Sequence, residues 1–311
     1  MPNTLAHLGL GGFLTRSVIR NSDIKWIYLA CIIPDIPWMF MRFIEFFFPS
    51  KSTYDLKLYT VIQASLFFSI ILSLAISFFS TRYFRSSLIL IFGSFIHLFF
   101  DAFQIKWGTG SHFLLPFDWS IVYFGFFWPE SIPTYLITIF GLIFAAFTLK
   151  QTINAPTELC WPTGGKIPLL IFFIFLYLIW PLFLMDKAEE TNIRSIKVMR
   201  GKESRIGKEV SYNRENYIYN ESGESFLHYA EGKFLIKGIE LNKSVSISVK
   251  GRFISENAIE VSDYKIHTKG ARELSSISGL FLVFSIWCWI LLKKVLETSL
   301  SRKVLGLRFD Y

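Results

Sequence analysis

A chain of 311 residues that is 52% hydrophobic and 18% aromatic, with only 18% charged, carries more apolar surface than a soluble core accommodates. A mean hydropathy of +0.42 points the same way. The formal net charge of +8 does not indicate nucleic acid, because the basic residues are scattered and no basic cluster accompanies a nucleic-acid motif. Cys31, Cys160 and Cys288 lie far apart with no CxxC pair, so neither a zinc ribbon nor a disulfide framework is indicated.

The first segment, 2–20, reads as a moderately apolar helix with Pro2 in its first turn and Arg16 and Arg20 at its C-terminal end. His7 and Gly9, Gly11 and Gly12 interrupt it, and its positive charges follow the apolar stretch instead of preceding it. Both features argue against a cleavable signal peptide. The glycines match no phosphate loop and suit close helix packing. Ile24–Phe48 is long enough to span a membrane, but Pro34-Asp35-Ile36-Pro37 should break it and leave backbone groups to be satisfied by protein or a wet cavity. Asp23 and Asp118 read as caps of helices or turns.

Further membrane helices are expected near 57–80, 86–105, 132–149, 167–185 and 274–292, each close to the ~20 residues a crossing needs. The loop 104–131 is aromatic and punctuated by Gly and Pro. Trp107, Trp119 and Trp128 suit anchoring at a membrane interface. Residues 186–272 are polar, with alternating runs at Phe234-Leu-Ile-Lys, Ser244-Val-Ser-Ile-Ser-Val-Lys and Ala258-Ile-Glu-Val-Ser between turn signals. That pattern predicts a small all-β domain, OB-like in kind, inserted between two membrane helices. His228 and His267 within it have no acidic or cysteine partner at ligand spacing and read as surface residues.

The expected architecture is therefore an α-helical polytopic membrane protein of six to seven helices. Residues 1–185 form the membrane helical domain, 186–272 the β insertion, and 273–311 the final helix and a basic tail. Arg16, Arg20 and Lys25, then Arg82 and Arg85, then Lys150 and Lys166, and finally Lys293, Lys294, Arg302, Lys303 and Arg308 fall on one side when the crossings are counted. The positive-inside rule makes that side, with the C-terminus, cytoplasmic, and puts the loop 104–131 and the β domain outside. Lys51, Lys57 and Lys106 fall on the outer side, against the bias.

Within the apolar run of the fourth segment, His97 and Asp101 stand four residues apart and share a helix face. An ionisable side chain at membrane depth costs about 2.5–3.5 kcal/mol even on lenient scales and marks a functional site. His97 stands ~18 Å above Arg85, Asp101 ~24 Å above it, Asp35 ~15 Å above Lys25 and His7 ~20 Å above Arg20, at 1.5 Å per residue. Two histidines and two carboxylates at one depth suit a divalent transition metal such as Zn²⁺ or Mn²⁺.

His7, Pro34-Asp35, His97-Leu-Phe-Phe-Asp101 and Leu114-Leu115-Pro116-Phe117, in that order, cover about residues 1–150. They resemble the bacterial membrane-bound, metal-dependent hydrolase family, one group of which is LexA-regulated and lies in the inner membrane. The resemblance implies hydrolysis of an ester or phosphoester by metal-activated water at the bacterial inner membrane. His7, Asp35, His97 and Asp101 would be the ligands, with an uncoordinated carboxylate as the base; Asp101 and His112 would be the catalytic residues, and His112 with Gln104 would handle the substrate or support a ligand from behind. A lipid-linked or small-molecule substrate reaching the site from the outer half of the membrane fits that placement.

The chain departs from the family at one motif. Where its members carry His-Arg-Gly-x-Thr-His-Ser, the corresponding stretch here is Tyr59-Thr60-Val61-Ile62-Gln63-Ala64-Ser65, and only the serine is kept. Gln104, Thr109 and His112 are the residues able to compensate for the two absent imidazoles. Two rival expectations remain: a catalytically degenerate scaffold that presents the β domain to a protein partner, and a proton-coupled transporter using His97, Asp101 and Asp35. The transporter predicts internal repeats, and none is evident.

Overall fold

In a computed structural model, residues 3–48, 53–156, 158–220, 224–229, 232–268 and 270–304 are described. Pro2, Lys51 and Arg308, to which the sequence assigned places, lie outside them. Helix α1 (Thr4–Val18) starts at Asn3, whose side chain accepts a hydrogen bond from the Ala6 N–H at 3.0 Å. Asp23 does the same for α2 (Ile24–Ala30), accepting from the Lys25 N–H at 3.0 Å.

The paired prolines break the second segment as expected. Helix α2 stops at Ala30, a 3₁₀ turn covers Ile33–Asp35, and α3 (Ile36–Phe47) begins at Asp35. In an unbroken helix the Asp35 N–H would bond to the Cys31 carbonyl; here it bonds to the Ile32 carbonyl at 3.0 Å. The Cys31 carbonyl is thereby released to a side-chain partner.

The segment expected as one helix over 57–80 is two, α4 (Thr53–Gln63) and α5 (Leu66–Ser77), bent by 70° at Ala64-Ser65. Ser65 takes an extended conformation at the start of α5. Then come α6 (Tyr83–Ala102), α7 (Ile132–Asn154) and α8 (Lys166–Ile179), the last running through a 3₁₀ turn into α9 (Met185–Glu190). After α10 (Ile196–Arg200) and the β domain, α11 (Ala271–Val304) closes the described chain.

Among the described residues five stretches are long and apolar enough to cross a membrane: Ile24–Phe47, Tyr83–Ala102, Ile132–Asn154, Lys166–Glu190 and Ala271–Leu296. The α4–α5 pair makes a sixth if taken as one bent span. The seventh of the expected range fails on length, since α1 has 15 residues and a crossing needs ~20. Large apolar side chains such as Phe147 on α7, Phe172 on α8 and Phe281 on α11 point outward from the bundle.

The alternating segment forms a closed five-stranded barrel in the order β1 (Glu209–Tyr219), β2 (Ser225–Tyr229), β3 (Gly232–Lys237), β5 (Ala258–His267), β4 (Val245–Ser255). All neighbours are antiparallel except β3 and β5. Tyr212, Tyr217, Leu227, Phe234, Ile247, Val249, Phe253 and Ile259 fill its interior. A bulge between Tyr212 and Glu215 turns Arg214 toward the helices.

There Arg214 pairs with Glu130 of the loop 104–131 and with Glu273 at the start of α11, the latter at 2.8 Å. His267 Nδ1 lies 3.1 Å from the same Glu130, while its Nε2 meets Ser248 Oγ at 2.7 Å. The surface role expected for His267 is therefore corrected: it is buried where barrel meets helices, and its acidic partner is 137 residues away in sequence. Trp107 and Trp128 face the barrel too. They contact each other with centroids 5.2 Å apart, and Lys250 Nζ lies 4.7 Å from the Trp107 ring.

Candidate metal centre

Two close helix contacts set the site. A Cβ on Gly141 of α7 would stand 1.9 Å from the Leu5 carbonyl oxygen, and one on Gly9 would stand 2.3 Å from the Gly141 Cα. Helices α1 and α7 thus touch backbone to backbone, as the glycines of the first segment suggested, and this draws His7 into the bundle. On the other side a Cβ on Gly93 would lie 2.5 Å from the Ala30 Cβ, so α6 presses against the end of α2. His97 is one turn further along α6 and reaches the carbonyl that the proline break released: its Nδ1 is 2.6 Å from Cys31 O.

That bond fixes the imidazole. A carbonyl oxygen only accepts, so Nδ1 carries the hydrogen, and the Nε2 of the neutral ring presents its lone pair. His7 stacks on His97 with centroids 3.8 Å apart and planes 4° from parallel. His7 Nε2 lies 3.4 Å from Asp101 Oδ1, and His97 Nε2 lies 3.5 Å from Asp35 Oδ1. All four residues are buried. Neither Nε2 atom has a hydrogen-bond partner among the described residues.

These distances are long for hydrogen bonds and short for strangers. A tetrahedral ion with ligands at ~2.0–2.2 Å holds neighbouring donor atoms about 3.3–3.6 Å apart. Donor atoms of His7, His97 and Asp101 all lie within 4.8 Å of one another, so this buried trio is spaced to hold a metal ion. Asp35 is outside that mutual set and meets it at His97. Two imidazole nitrogens with a carboxylate oxygen are a donor set that could hold a metal ion, and the Cys31 carbonyl accepts from the other nitrogen of His97.

Lys106 is a member of the site that the sequence presented only as an exception to the charge bias. Its Nζ lies 3.0 Å from Asp101 Oδ2, leaving Oδ1 turned to His7. Five residues beyond Asp101, past the end of α6, it folds back over the carboxylate; a lone lysine in a loop gives no signal of that in sequence.

The loop candidates follow α6 in sequence. Both amide atoms of Gln104 are buried without hydrogen-bond partners among the described residues, and the Thr109 N–H bonds to the Lys106 carbonyl at 3.2 Å. His112 is buried with Nδ1 unpartnered. Its pKa is pushed down to about 4, chiefly by burial and next by the charge of Arg194, against a hydrogen bond with the Trp119 backbone. Tyr59 and Gln63, in the stretch that departs from the family motif, bond to backbone carbonyls of α8: Tyr59 Oη donates to Leu178 O at 2.8 Å and Gln63 Nε2 to Tyr177 O at 3.0 Å.

Comparisons with protein-family models, with curated proteins and with solved structures returned no match. The resemblance to the membrane-bound hydrolases therefore rests on the four short sequence motifs alone.

Proposed function

We propose that this protein is a membrane-embedded, metal-dependent hydrolase of an ester or phosphoester, a divergent relative of the bacterial inner-membrane hydrolases. The observation that carries the reading is the facing pair of buried imidazoles, each with an unpartnered Nε2 about one ion's width from a carboxylate oxygen. His7, His97 and Asp101 would hold a divalent ion, Zn²⁺ or Mn²⁺, with Asp35 beside it at His97. Such an ion supplies Lewis acidity toward water and toward a phosphoryl or acyl oxygen.

The chain's own residues supply the rest. The Cys31 carbonyl keeps the His97 lone pair turned inward, and Lys106 holds the Asp101 carboxylate in place. Asp35, outside the mutual trio and 3.5 Å from His97 Nε2, would take a proton from water, which is the work of a base. Burial of the whole group keeps bulk solvent from competing.

The apolar helices support insertion in a bilayer, and the basic loops support a cytoplasmic C-terminus with the barrel outside. Five strands closed into a small barrel fit an OB-like module. A second reading, a scaffold presenting this barrel to a protein partner, draws on the Arg214–Glu130–His267 network that fixes it to the helices.

Hydrolysis of bis-p-nitrophenyl phosphate and of p-nitrophenyl butyrate by detergent-purified protein, before and after chelation, separates the two. Turnover that disappears with the metal and returns on its readdition supports the enzyme. No turnover by metal-loaded, folded protein on either substrate leaves the scaffold.

A further inference from the structure

Helices α7 and α11 both touch the start of α1, and both do so at a glycine. Gly141 of α7 meets the Leu5 carbonyl, and a Cβ on Gly279 of α11 would stand 2.7 Å from the Thr4 Cβ. Further along, each is held by α2 instead. Tyr28 Oη lies 2.7 Å from Thr148 Oγ1 of α7, and the Trp26 and Trp287 rings meet edge to face with centroids 5.0 Å apart. Past the glycine contacts the two helices leave a cleft of about 410 Å³ between them. Leu149 and Ile153 of α7 stand on one wall, and Leu282, Ile286 and Trp289 of α11 on the other. The lining is almost wholly apolar, and Ile153 and Trp289 are exposed at its mouth.

The cleft has a charged end. Positions 282, 286, 289 and 293 recur every three or four residues and so share one helix face. Lys293 therefore continues the α11 wall one turn past Trp289, ~6 Å along the axis at 1.5 Å per residue. It is exposed and enters no ion pair among the described residues. On the other wall Arg16 reaches over from α1, and its Nη1 donates to Gln151 Oε1 at 3.3 Å, between Leu149 and Ile153 in the chain. Measured from the contacts at Thr4 and Leu5, Gln151 lies ~15 Å along α7 and Lys293 ~21 Å along α11, so both cations mark the same end.

The length of the cleft is informative too. From Leu282 to Lys293 is ~16 Å along the helix. One leaflet of hydrocarbon is ~15 Å deep, half of the ~30 Å core. Trp289, one turn before the lysine, stands where an indole suits the boundary between chains and headgroups. We infer that this cleft binds one anionic phospholipid of the leaflet on the basic side, with an acyl chain between α7 and α11 and its phosphate held by Lys293 and Arg16. The apolar lining takes the chain, and the two cations select the sign of the headgroup. The inference goes beyond the hydrolase reading and needs only that α7 and α11 stand in a bilayer. It involves no metal ligand, so it and the metal centre fail separately.

Native mass spectrometry of the full-length protein, released from micelles containing a chelator, reads the binding. Dioleoylphosphatidylglycerol is the probe and dioleoylphosphatidylcholine the zwitterionic control. Wild-type protein should prefer the first by about 10–30-fold, two cations at about fivefold each. Lys293→Gln should weaken phosphatidylglycerol about fivefold and leave phosphatidylcholine unchanged. Lys293→Arg, which keeps the charge, should retain the preference. Ile153→Trp, a larger side chain at the mouth of the cleft, should weaken both lipids. Lys166→Gln, at an exposed cation that begins α8, should change neither.

Equal retention of the two lipids by the wild type overturns the inference, as does wild-type affinity for phosphatidylglycerol in Lys293→Gln/Arg16→Gln or in Ile153→Trp. A wild-type dimer that Ile153→Trp dissolves also overturns it, and assigns the cleft to a second copy of the chain.

Discussion

Replacing Gly141 with alanine tests whether the α1–α7 contact positions the candidate centre. The new methyl would stand 1.9 Å from the Leu5 carbonyl oxygen and 2.6 Å from its carbon, against backbone with no side chain to yield. Restoring even a 3.0 Å approach requires α1 to withdraw by about 1 Å. His7 lies two residues from Leu5 and would go with it. Metal–ligand distances tolerate only about 0.2 Å, so a displacement several times larger removes one ligand. The expected result is a metal affinity lower by about 10–100-fold together with a stability loss of about 1–3 kcal/mol from overpacking. Chelator-competition titration reads the first and thermal unfolding in detergent the second. Gly165→Ala, where nothing lies within 4 Å of the added carbon, is the control and should change neither. Wild-type metal affinity in Gly141→Ala would refute the claim that this crossing sets His7.

Other perturbations follow from the same structure. The folded-state pKa of His112, about 4, lies below the value of 6.5 for a free imidazole, so the unfolded chain takes up its proton first on acidification. Its contribution is intact above pH 6.5 and is lost progressively toward pH 4, by at most about 3 kcal/mol at 1.36 kcal/mol per pH unit. Unfolding measured between pH 7 and pH 4.5 should therefore fall less steeply in His112→Gln, and an unchanged slope would contradict the assignment. Arg214→Met strands the Glu130 carboxylate at the junction between barrel and helices, at a cost of about 3–5 kcal/mol. Adding Glu130→Gln should recover part of that loss in thermal unfolding, and an unfolding temperature unchanged in the single variant would exclude the network as the barrel's attachment.

What could be read from the sequence followed from local geometry. His97 and Asp101 share a face because four residues make about one helical turn, and the Pro34–Pro37 break was visible because proline cannot donate. Counting residues from the basic helix ends put His7, Asp35, His97 and Asp101 at one height, and the fold brings them together. Period-two alternation revealed β3, β4 and β5. Strand β1 escaped because its bulge and its run Asn213-Arg214-Glu215-Asn216 interrupt the pattern.

The remainder depends on contacts between distant segments. Nothing local says that Lys106 turns back onto Asp101, or that the carbonyl freed by the proline break accepts from His97. The bend at Ala64-Ser65 was not visible either, because apolar composition continues through it. Trp107 and Trp128 suited a membrane interface by type, yet both meet lysines of the barrel. His267 lacked an acidic neighbour in sequence and found Glu130 in space.

Elemental analysis of detergent-purified full-length protein tests the central claim most directly. The account predicts about one equivalent of zinc or manganese in the wild type, with that metal gone from folded His97→Ala and Asp101→Ala variants. Folded wild-type protein that holds no transition metal, even after incubation with excess Zn²⁺ or Mn²⁺, would contradict it.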